Sequence, residues 1–152
     1  MRRLRNALIA LVIVVLVVGL GGGIFAVATV RASFPQTSGT LAIPGLDGEV
    51  RIQRDAQGVP QIYATTDHDL MLAQGYVHAQ DRFWEMDVRR HITAGRLSEL
   101  FGGSQLDTDK FLRTIGWRRI AEQEVSMLKP DSQAFIAAYA AGVNAWLSAN
   151  GS

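Results

Sequence analysis

The hydrophobic pattern divides the chain into an apolar leader and a mixed body. Residues 6–30 contain no charged side chain, and residues 7–18 form an unbroken apolar run. As a helix rising about 1.5 Å per residue, this segment is long enough to cross a bilayer core of about 30 Å. Three arginines precede it, which places the N-terminus in the cytoplasm and sends the body across the membrane. The pattern predicts a membrane-inserting segment over residues 1–30 and an extracytoplasmic body.

Two interpretations of the leader stay open. It is either an uncleaved anchor, held in the membrane through residues 7–30, or a signal peptide with a small-x-small cleavage site at residues 26–28. Apolar residues continue after the glycines of positions 19–23, which favours the anchor. Residues 31–46 mix Pro and Gly with Ser and Thr, so we interpret them as a linker.

The body, residues 47–152, begins with an alternating pattern. Val50 and Ile52 alternate with polar residues, which is typical of a strand with one buried face. Residues 55–58 have Asp first and Gly last, the preference of a type I turn. Residues 59–65 are predicted to be the second strand, with Pro60 tolerated at its start. The sequence therefore predicts one β-hairpin.

Helical spacing follows the hairpin. The pattern predicts a long helix from residue 67 to about 93, capped by Thr66 or Asp67 and ended by Gly95. Ion pairs are expected along its polar side, from Arg82 to Glu85 and from Glu85 to Arg89. Shorter helices are predicted over 96–101 and between 107 and 128. A last helix, about 131–148, is predicted to bury Phe135, Ile136, Tyr139, Val143, Trp146 and Leu147.

A lone hairpin poses a physical problem, because an isolated two-stranded sheet is marginal in water. Either the hairpin packs on its own helices, or its strands join a sheet supplied by other sequence. The end at residues 150–152, Asn-Gly-Ser, follows a helix directly and carries no terminal signal. We expect the chain to be a fragment of a larger domain.

Charge and composition exclude several classes of protein. Residues 33–152 carry 11 basic and 14 acidic side chains, a net charge of −3, and the basic ones form no stripe. This balance argues against nucleic-acid binding. The absence of cysteine excludes disulfides and thiolate metal sites.

Candidate catalytic groups are sparse. His68 and His78 lie ten residues apart on one predicted helix, about 15 Å, so they cannot share a metal ion. We interpret His78 as a scaffold residue paired with Asp81 or Arg82, and His91 as a solvated helix residue. No G-x-S-x-G elbow or phosphate-binding glycine loop is present in the body. We therefore predict no catalytic, cofactor-binding or metal-binding residue in this chain.

Two segments nevertheless carry a specific resemblance. Residues 54–64 match R-D-x-x-G-V-P-x-I-x-A, and residues 75–82 match G-Y-V-x-A-Q-D-R. Together with G-R-L-S-E-L-F-G at 95–102, Asp109 and Y-A-A-G-V-N-A-W at 139–146, they resemble the start of the α chain of penicillin acylases. The resemblance covers residues 48–148, and Gln61 stands where that family often has His.

The resemblance implies an N-terminal-nucleophile hydrolase of α+β class with a four-layer αββα core. Such a precursor cuts itself into α and β chains, and the N-terminal Ser of the β chain attacks an amide carbonyl with its own amine as base. A calcium ion is common in the family. The implied partners are the chain's own β chain and a small N-acyl substrate, such as a β-lactam or an acyl-homoserine lactone. Asp81 and Arg82 are read as an ion-paired scaffold, and the nucleophile is expected downstream.

A different class of function stays open beside this one. The same scaffold could serve a membrane-anchored binding or adaptor module without a nucleophile. The coding sequence after residue 152 distinguishes the two, since only the hydrolase requires a processing junction and a β chain.

Overall fold

The computed structural model describes residues 2–32 and 34–150, which form two compact units divided after residue 36. The first unit consists of helix α1 (Arg2–Ala32). The second contains a β-hairpin followed by helices: β1 (Arg51–Arg54), β2 (Pro60–Tyr63), α2 (Asp67–Ala94), α3 (Ser98–Phe101), a 3₁₀ turn (Gly103–Gln105), α4 (Leu106–Ile115), α5 (Trp117–Val125) and α6 (Pro130–Asn150).

Helix α1 is one continuous helix, and its segment Arg5–Ala32 is long and apolar enough to cross a membrane. A signal sequence near an N-terminus would satisfy the same criteria. Gly19, Gly21, Gly22 and Gly23 lie inside this helix although glycine is a poor helix former in water. The two interpretations of the leader therefore both remain compatible with α1.

The hairpin forms as the alternation predicted. Its two strands are antiparallel, with Ile52 opposite Ile62 and Arg54 opposite Pro60. The turn is held by Asp55, whose carboxylate accepts the backbone N–H of Gln57 and of Val59. Gly58 has φ +82°, a conformation that a residue without a β-carbon adopts at no steric cost.

Helix α2 has the predicted boundaries and contains a kink that the sequence did not indicate. The Thr66 hydroxyl accepts the N–H of Asp69 at the start, and Gly95 ends the helix in the left-handed conformation. The helix is not straight, because Arg82 has non-helical angles (φ −151°, ψ 33°) and marks a kink. The helical spacing of apolar residues continues across residue 82, so the sequence pattern did not indicate this kink.

The core lies where α2 crosses α6. A β-carbon on Gly75 would lie 2.0 Å from the Tyr139 carbonyl oxygen, and one on Gly142 would lie 1.9 Å from that of Leu72. The two backbones therefore touch, and Leu72, Ala73, Val77, Ala79 and Ala138 are buried around them. The predicted α6 stripe is wrong at Phe135 and Ile136, which are exposed. Close packing on α6 uses its small residues, which turns these two larger side chains outward.

The region between residues 107 and 128, predicted to be helical, forms two helices. Gly116, at φ +77°, separates α4 from α5. Only Asp109 and Leu112 of α4 are buried, and no residue of α5 is buried. The body is mostly helical with one antiparallel hairpin, as predicted, and the larger apolar side chains of α4 and α5 lie on its surface.

Candidate functional site

Arg54 of the hairpin and Asp81 of α2 form an ion pair, which we call the Arg54–Asp81 clamp. The two terminal nitrogens of Arg54 donate to the two carboxylate oxygens of Asp81 at 2.9 and 2.7 Å. The same guanidinium also donates to the Gly58 carbonyl and to the Gln80 side-chain oxygen. The side chains of Arg54 and Asp81 are only 15% and 19% exposed. This bidentate geometry fixes the orientation of the turn against the helix.

The clamp confirms part of the sequence interpretation of Asp81 and corrects the rest. Asp81 is ion-paired, but its partner is Arg54, which lies 27 residues earlier, and not its neighbour Arg82. Sequence spacing favours partners within one helical turn, so it could not indicate a contact made across the fold. The predicted pair of Glu85 with Arg89 is present. Arg82 makes no ion pair with Glu85 among the described residues.

The interpretation of His78 is also corrected. Its Nδ1 lies 2.9 Å from the hydroxyl of Tyr139 on α6, and the two rings meet edge to face. Burial raises the pKa of Tyr139, and the positive charge of Arg82 offsets part of that effect. Phe83 and Trp146 make a second ring contact between the same helices. His78 therefore belongs to the α2–α6 packing and not to the clamp.

Asp69 holds the segment that enters the hairpin. Its carboxylate oxygens accept the backbone N–H groups of Asp47 and Gly48 at 2.8 and 3.2 Å, and the residue is fully buried. We call this contact the Asp69 latch. Buried carboxylates require such donors because an unpaired one is costly to desolvate. Local sequence spacing does not indicate this contact, because the two donors lie more than 20 residues before Asp69.

The latch lies beside a group with metal-ligand chemistry. Asp47, His68 and Asp69 each place one ligand-type atom within 4.8 Å of the others. His68 Nε2 lies 3.0 Å from the Gly45 carbonyl oxygen, and both oxygens of Asp69 already accept N–H groups. These contacts tie residues 45–48 to the start of α2, which gives His68 and Asp69 a structural role.

Asp109 forms a second latch, between α4 and the start of α3. Its carboxylate accepts the N–H of Leu97, the N–H of Ser98 and the Ser98 hydroxyl, at 2.6 to 2.9 Å. Burial alone would raise the pKa of Asp109, but these hydrogen bonds and the positive charge of Arg113 outweigh it and hold the pKa below its ordinary value. Asp109, one of the residues that carry the family resemblance, therefore has a structural role in this chain.

His91 is not the solvated residue that the sequence suggested. It is 8% exposed, and its Nδ1 lies 2.8 Å from the Asp87 carbonyl oxygen. The chain turns back at Gly95 and brings Glu99 to 3.9 Å from its Nε2. A turn after a helix can cover a residue of the last helical turn, which helical periodicity does not reveal.

One surface pocket lies near the end of α2. It has a volume of about 190 Å³ and is lined by Thr93, Ala94, Leu112, Arg113, Gly116, Arg118, Arg119 and Glu122. The Thr93 hydroxyl donates to carbonyls of its own helix, and Arg118 pairs with Glu122. The pocket contains no hydroxyl next to a free base, which nucleophilic catalysis would need.

The clamp and the Asp109 latch lie within the segment that a known protein family shares with this chain. The penicillin amidase family model matches residues 49–152. The chain belongs to the penicillin amidase family. Acyl-homoserine lactone acylase QuiP of Pseudomonas aeruginosa is 44% identical over 115 residues, 76% of this chain and 14% of that protein. Penicillin acylase 2 proenzyme of Pseudomonas sp. (strain SE83) is 38% identical over 118 residues, 78% of this chain and 15% of that protein.

A solved structure gives the same assignment. The thermostable penicillin G acylase from Alcaligenes faecalis matches with a TM-score of 0.60 and 28% identity, over 66% of this chain and 54% of that chain. The fold of this member of the penicillin amidase family therefore corresponds to part of an acylase chain. The chain spans about one seventh of the length of the curated relatives it matches.

Proposed function

We propose that the complete protein is an extracytoplasmic acylase that hydrolyses the amide bond of small N-acyl compounds. The observation that carries the proposal is the match over residues 49–152, because it includes the hairpin, the clamp and the Asp109 latch in one continuous match. The relatives that share this segment are named as penicillin and acyl-homoserine lactone acylases. The chain is then the front part of an α chain in a four-layer αββα hydrolase.

The nucleophile in this proposal is an N-terminal Ser that precursor cleavage exposes downstream. An N-terminal Ser carries its own amine as general base, so one residue supplies both groups. One relative is named a proenzyme, and 118 residues are 15% of it, so it is about 790 residues long. The matched part of the solved acylase chain, about 100 residues, is 54% of that chain, which is therefore only about 190 residues long. The difference supports a precursor that is divided into chains.

The experiment is expression of the complete gene, followed by intact mass analysis and an amide hydrolysis assay. We expect two chains and turnover of a chromogenic phenylacetyl amide, a long-chain acyl-homoserine lactone, or both. Replacement of the first residue of the new chain by Ala should abolish turnover while the melting temperature stays within a few degrees. A single uncleaved chain without turnover would contradict the proposal and favour the membrane-anchored binding module.

The location of the protein depends on whether α1 is retained or cleaved. We infer that α1 is an uncleaved anchor with the body outside the cytoplasm, since Ile24, Phe25 and Val27 prolong its apolar stretch beyond the glycines. The N-terminus of the purified α chain tests this inference. An anchor predicts that residues 2–28 are retained and that alkaline carbonate does not extract the protein from membranes. A chain that begins near Thr29 would identify a signal peptide instead.

A further inference from the structure

The β-hairpin has two edges, and its register shows that they are not equivalent. The Asp55 N–H donates to the Val59 carbonyl, which makes these two residues a hydrogen-bonded pair. Pairs alternate along an antiparallel ladder, so Arg54 with Pro60 and Ile52 with Ile62 are the non-hydrogen-bonded pairs. Pro60, which has no N–H, fits that position. The backbone N–H and C=O groups of these four residues point away from the partner strand.

The outward groups differ between the two strands. On β1, Ile52 and Arg54 each present one N–H and one C=O. On β2, Ile62 presents both groups, but Pro60 presents only its C=O. Proline is characteristic of a strand edge that is not extended by another strand. The outer edge of β1 is therefore a complete template for pairing, and that of β2 is interrupted.

The surroundings of the strands agree with this asymmetry. The backbone of β2 runs closer to α2 than that of β1, which reaches the helix through the Arg54 side chain. On β2, Pro60 and Ile62 are half-buried, and so is Arg54 at the turn end of β1. Ile52 lies on the same face but is 37% exposed. Uncovered apolar surface on this face is therefore found on the β1 side, away from α2.

We propose that the outer edge of β1 receives the next strand of the sheet, and that this strand comes from the part of the same polypeptide that follows residue 152. The proposal rests on the proposed function, since it requires the longer precursor. The family match extends to residue 152, and the relatives are about seven times as long as the matched segment. A strand supplied by the same chain covers the β1 edge at a lower entropic cost than one from another molecule.

The chemistry of the added strand follows from the two faces of β1. Its residue beside Ile52 is apolar, because that position completes the face that packs toward α2. On the opposite face it lies beside Gln53 and Arg51, and Arg51 already stacks at 4.9 Å on the Tyr63 ring. Polar residues fit that side. The occupant is thus a strand of alternating pattern and not a uniformly apolar one.

Hydrogen exchange in the complete protein tests the assignment. The hairpin protects the inward amides, those of residues 51 and 53 on β1 and 61 and 63 on β2. The proposal adds Ile52 and Arg54, so all four amides of 51–54 should exchange slowly. The amide of Ile62 should exchange at least about 100-fold faster than that of Ile52. Slow exchange at Ile62 with fast exchange at Ile52 and Arg54, or fast exchange at all three, would overturn it.

Matched proline variants provide a second test. Ile52→Pro and Ile62→Pro impose the same φ restriction, and each removes one outward N–H. We expect Ile52→Pro to lower the yield of folded protein at least tenfold, and Ile62→Pro to lower it less than threefold. The reverse order would contradict the proposal. Protection at Ile52 that appears only at high protein concentration would identify a second copy as the partner and would also overturn it.

The outcomes separate this inference from the proposed function. An inactive protein with four slow amides over 51–54 removes the acylase proposal and keeps the edge assignment. An active acylase with slow exchange at Ile62 and fast exchange at Ile52 and Arg54 keeps the acylase proposal and removes the edge assignment.

Discussion

The α2–α6 crossing and the α4–α5 region both contain large apolar side chains but differ in their exposure. At the crossing, two glycines bring backbone against backbone, and Leu72, Val77 and Ala138 are buried. On α4 and α5, Phe111 and Trp117 are 64% and 48% exposed. Burial in this body therefore depends on small residues that let two helices approach, and not on the number of large apolar side chains. The crossing is complete within the described residues, whereas the α4–α5 surface is open.

The largest effect is expected from a methyl group at the crossing. Gly142→Ala places a β-carbon 1.9 Å from the Leu72 carbonyl oxygen and 2.8 Å from the Tyr76 nitrogen. Neither backbone atom can move independently of its helix, so we expect a loss of about 3 kcal/mol or more in the free energy of unfolding. Chemical denaturation of the complete protein, or loss of its soluble yield, measures this change.

Gly103→Ala is the matched control for that substitution. A β-carbon there would find only the Leu106 side chain, at 3.9 Å, which is an ordinary contact. We expect a change of less than about 1 kcal/mol. Equal effects of the two substitutions would show that the α2–α6 crossing tolerates an added β-carbon as well as the exposed position 103 does.

The second-largest loss of stability is expected from breaking the Arg54–Asp81 clamp, which joins the hairpin to α2. Asp81→Ala leaves the Arg54 guanidinium enclosed, with only Gly58 and Gln80 as partners. The cost should lie between the 1 kcal/mol or less of an exposed pair and the 3–5 kcal/mol of a deeply buried one, at about 2–3 kcal/mol. We expect reduced maturation or stability of the complete protein, and a normal turnover number for whatever protein matures.

A double-mutant cycle isolates the pair from other effects. Arg54→Met, Asp81→Ala and the double variant should give a coupling energy of about 1–2 kcal/mol. Full maturation and an unchanged melting temperature, combined with a collapsed turnover number for Asp81→Ala, would place Asp81 in the active site and contradict the scaffold assignment.

The sequence predicted contacts within one element better than contacts between elements. The caps at Thr66 and Gly95, the turn at Asp55 and the Glu85–Arg89 pair all follow from local spacing, and all are present. The partners of Asp81 and of His78 lie 27 and 61 residues away, and periodicity carries no information about them. The close crossing of α2 and α6 was not predicted for the same reason. The need for glycine at positions 75 and 142 is visible only when the two helix backbones are in contact.

The third effect is a pH dependence at Asp109. Its folded-state pKa is lowered, so the residue contributes stability that is present above its ordinary pKa of about 4 and lost as the pH falls through the folded value. Asp109→Asn should therefore melt below the parent at pH 7. The difference between the two proteins should shrink on acidification to pH 3. A difference that stays constant between pH 7 and pH 3 would exclude the carboxylate as its source.

The smallest effect is expected on the outer side of α2, past the kink. Arg89 donates to Glu85 at 2.9 Å, but the two side chains are 73% and 53% exposed. Water and salt screen such a pair, so Glu85→Gln should change the free energy of unfolding by no more than about 0.5 kcal/mol, and 0.5 M salt should abolish the difference. Denaturant melts at low and high salt measure it. A loss of unfolding free energy comparable with that of Asp81→Ala, and insensitive to salt, would contradict this expectation. It would mean that this side of α2 is enclosed in the complete protein, unlike the surface of α4 and α5.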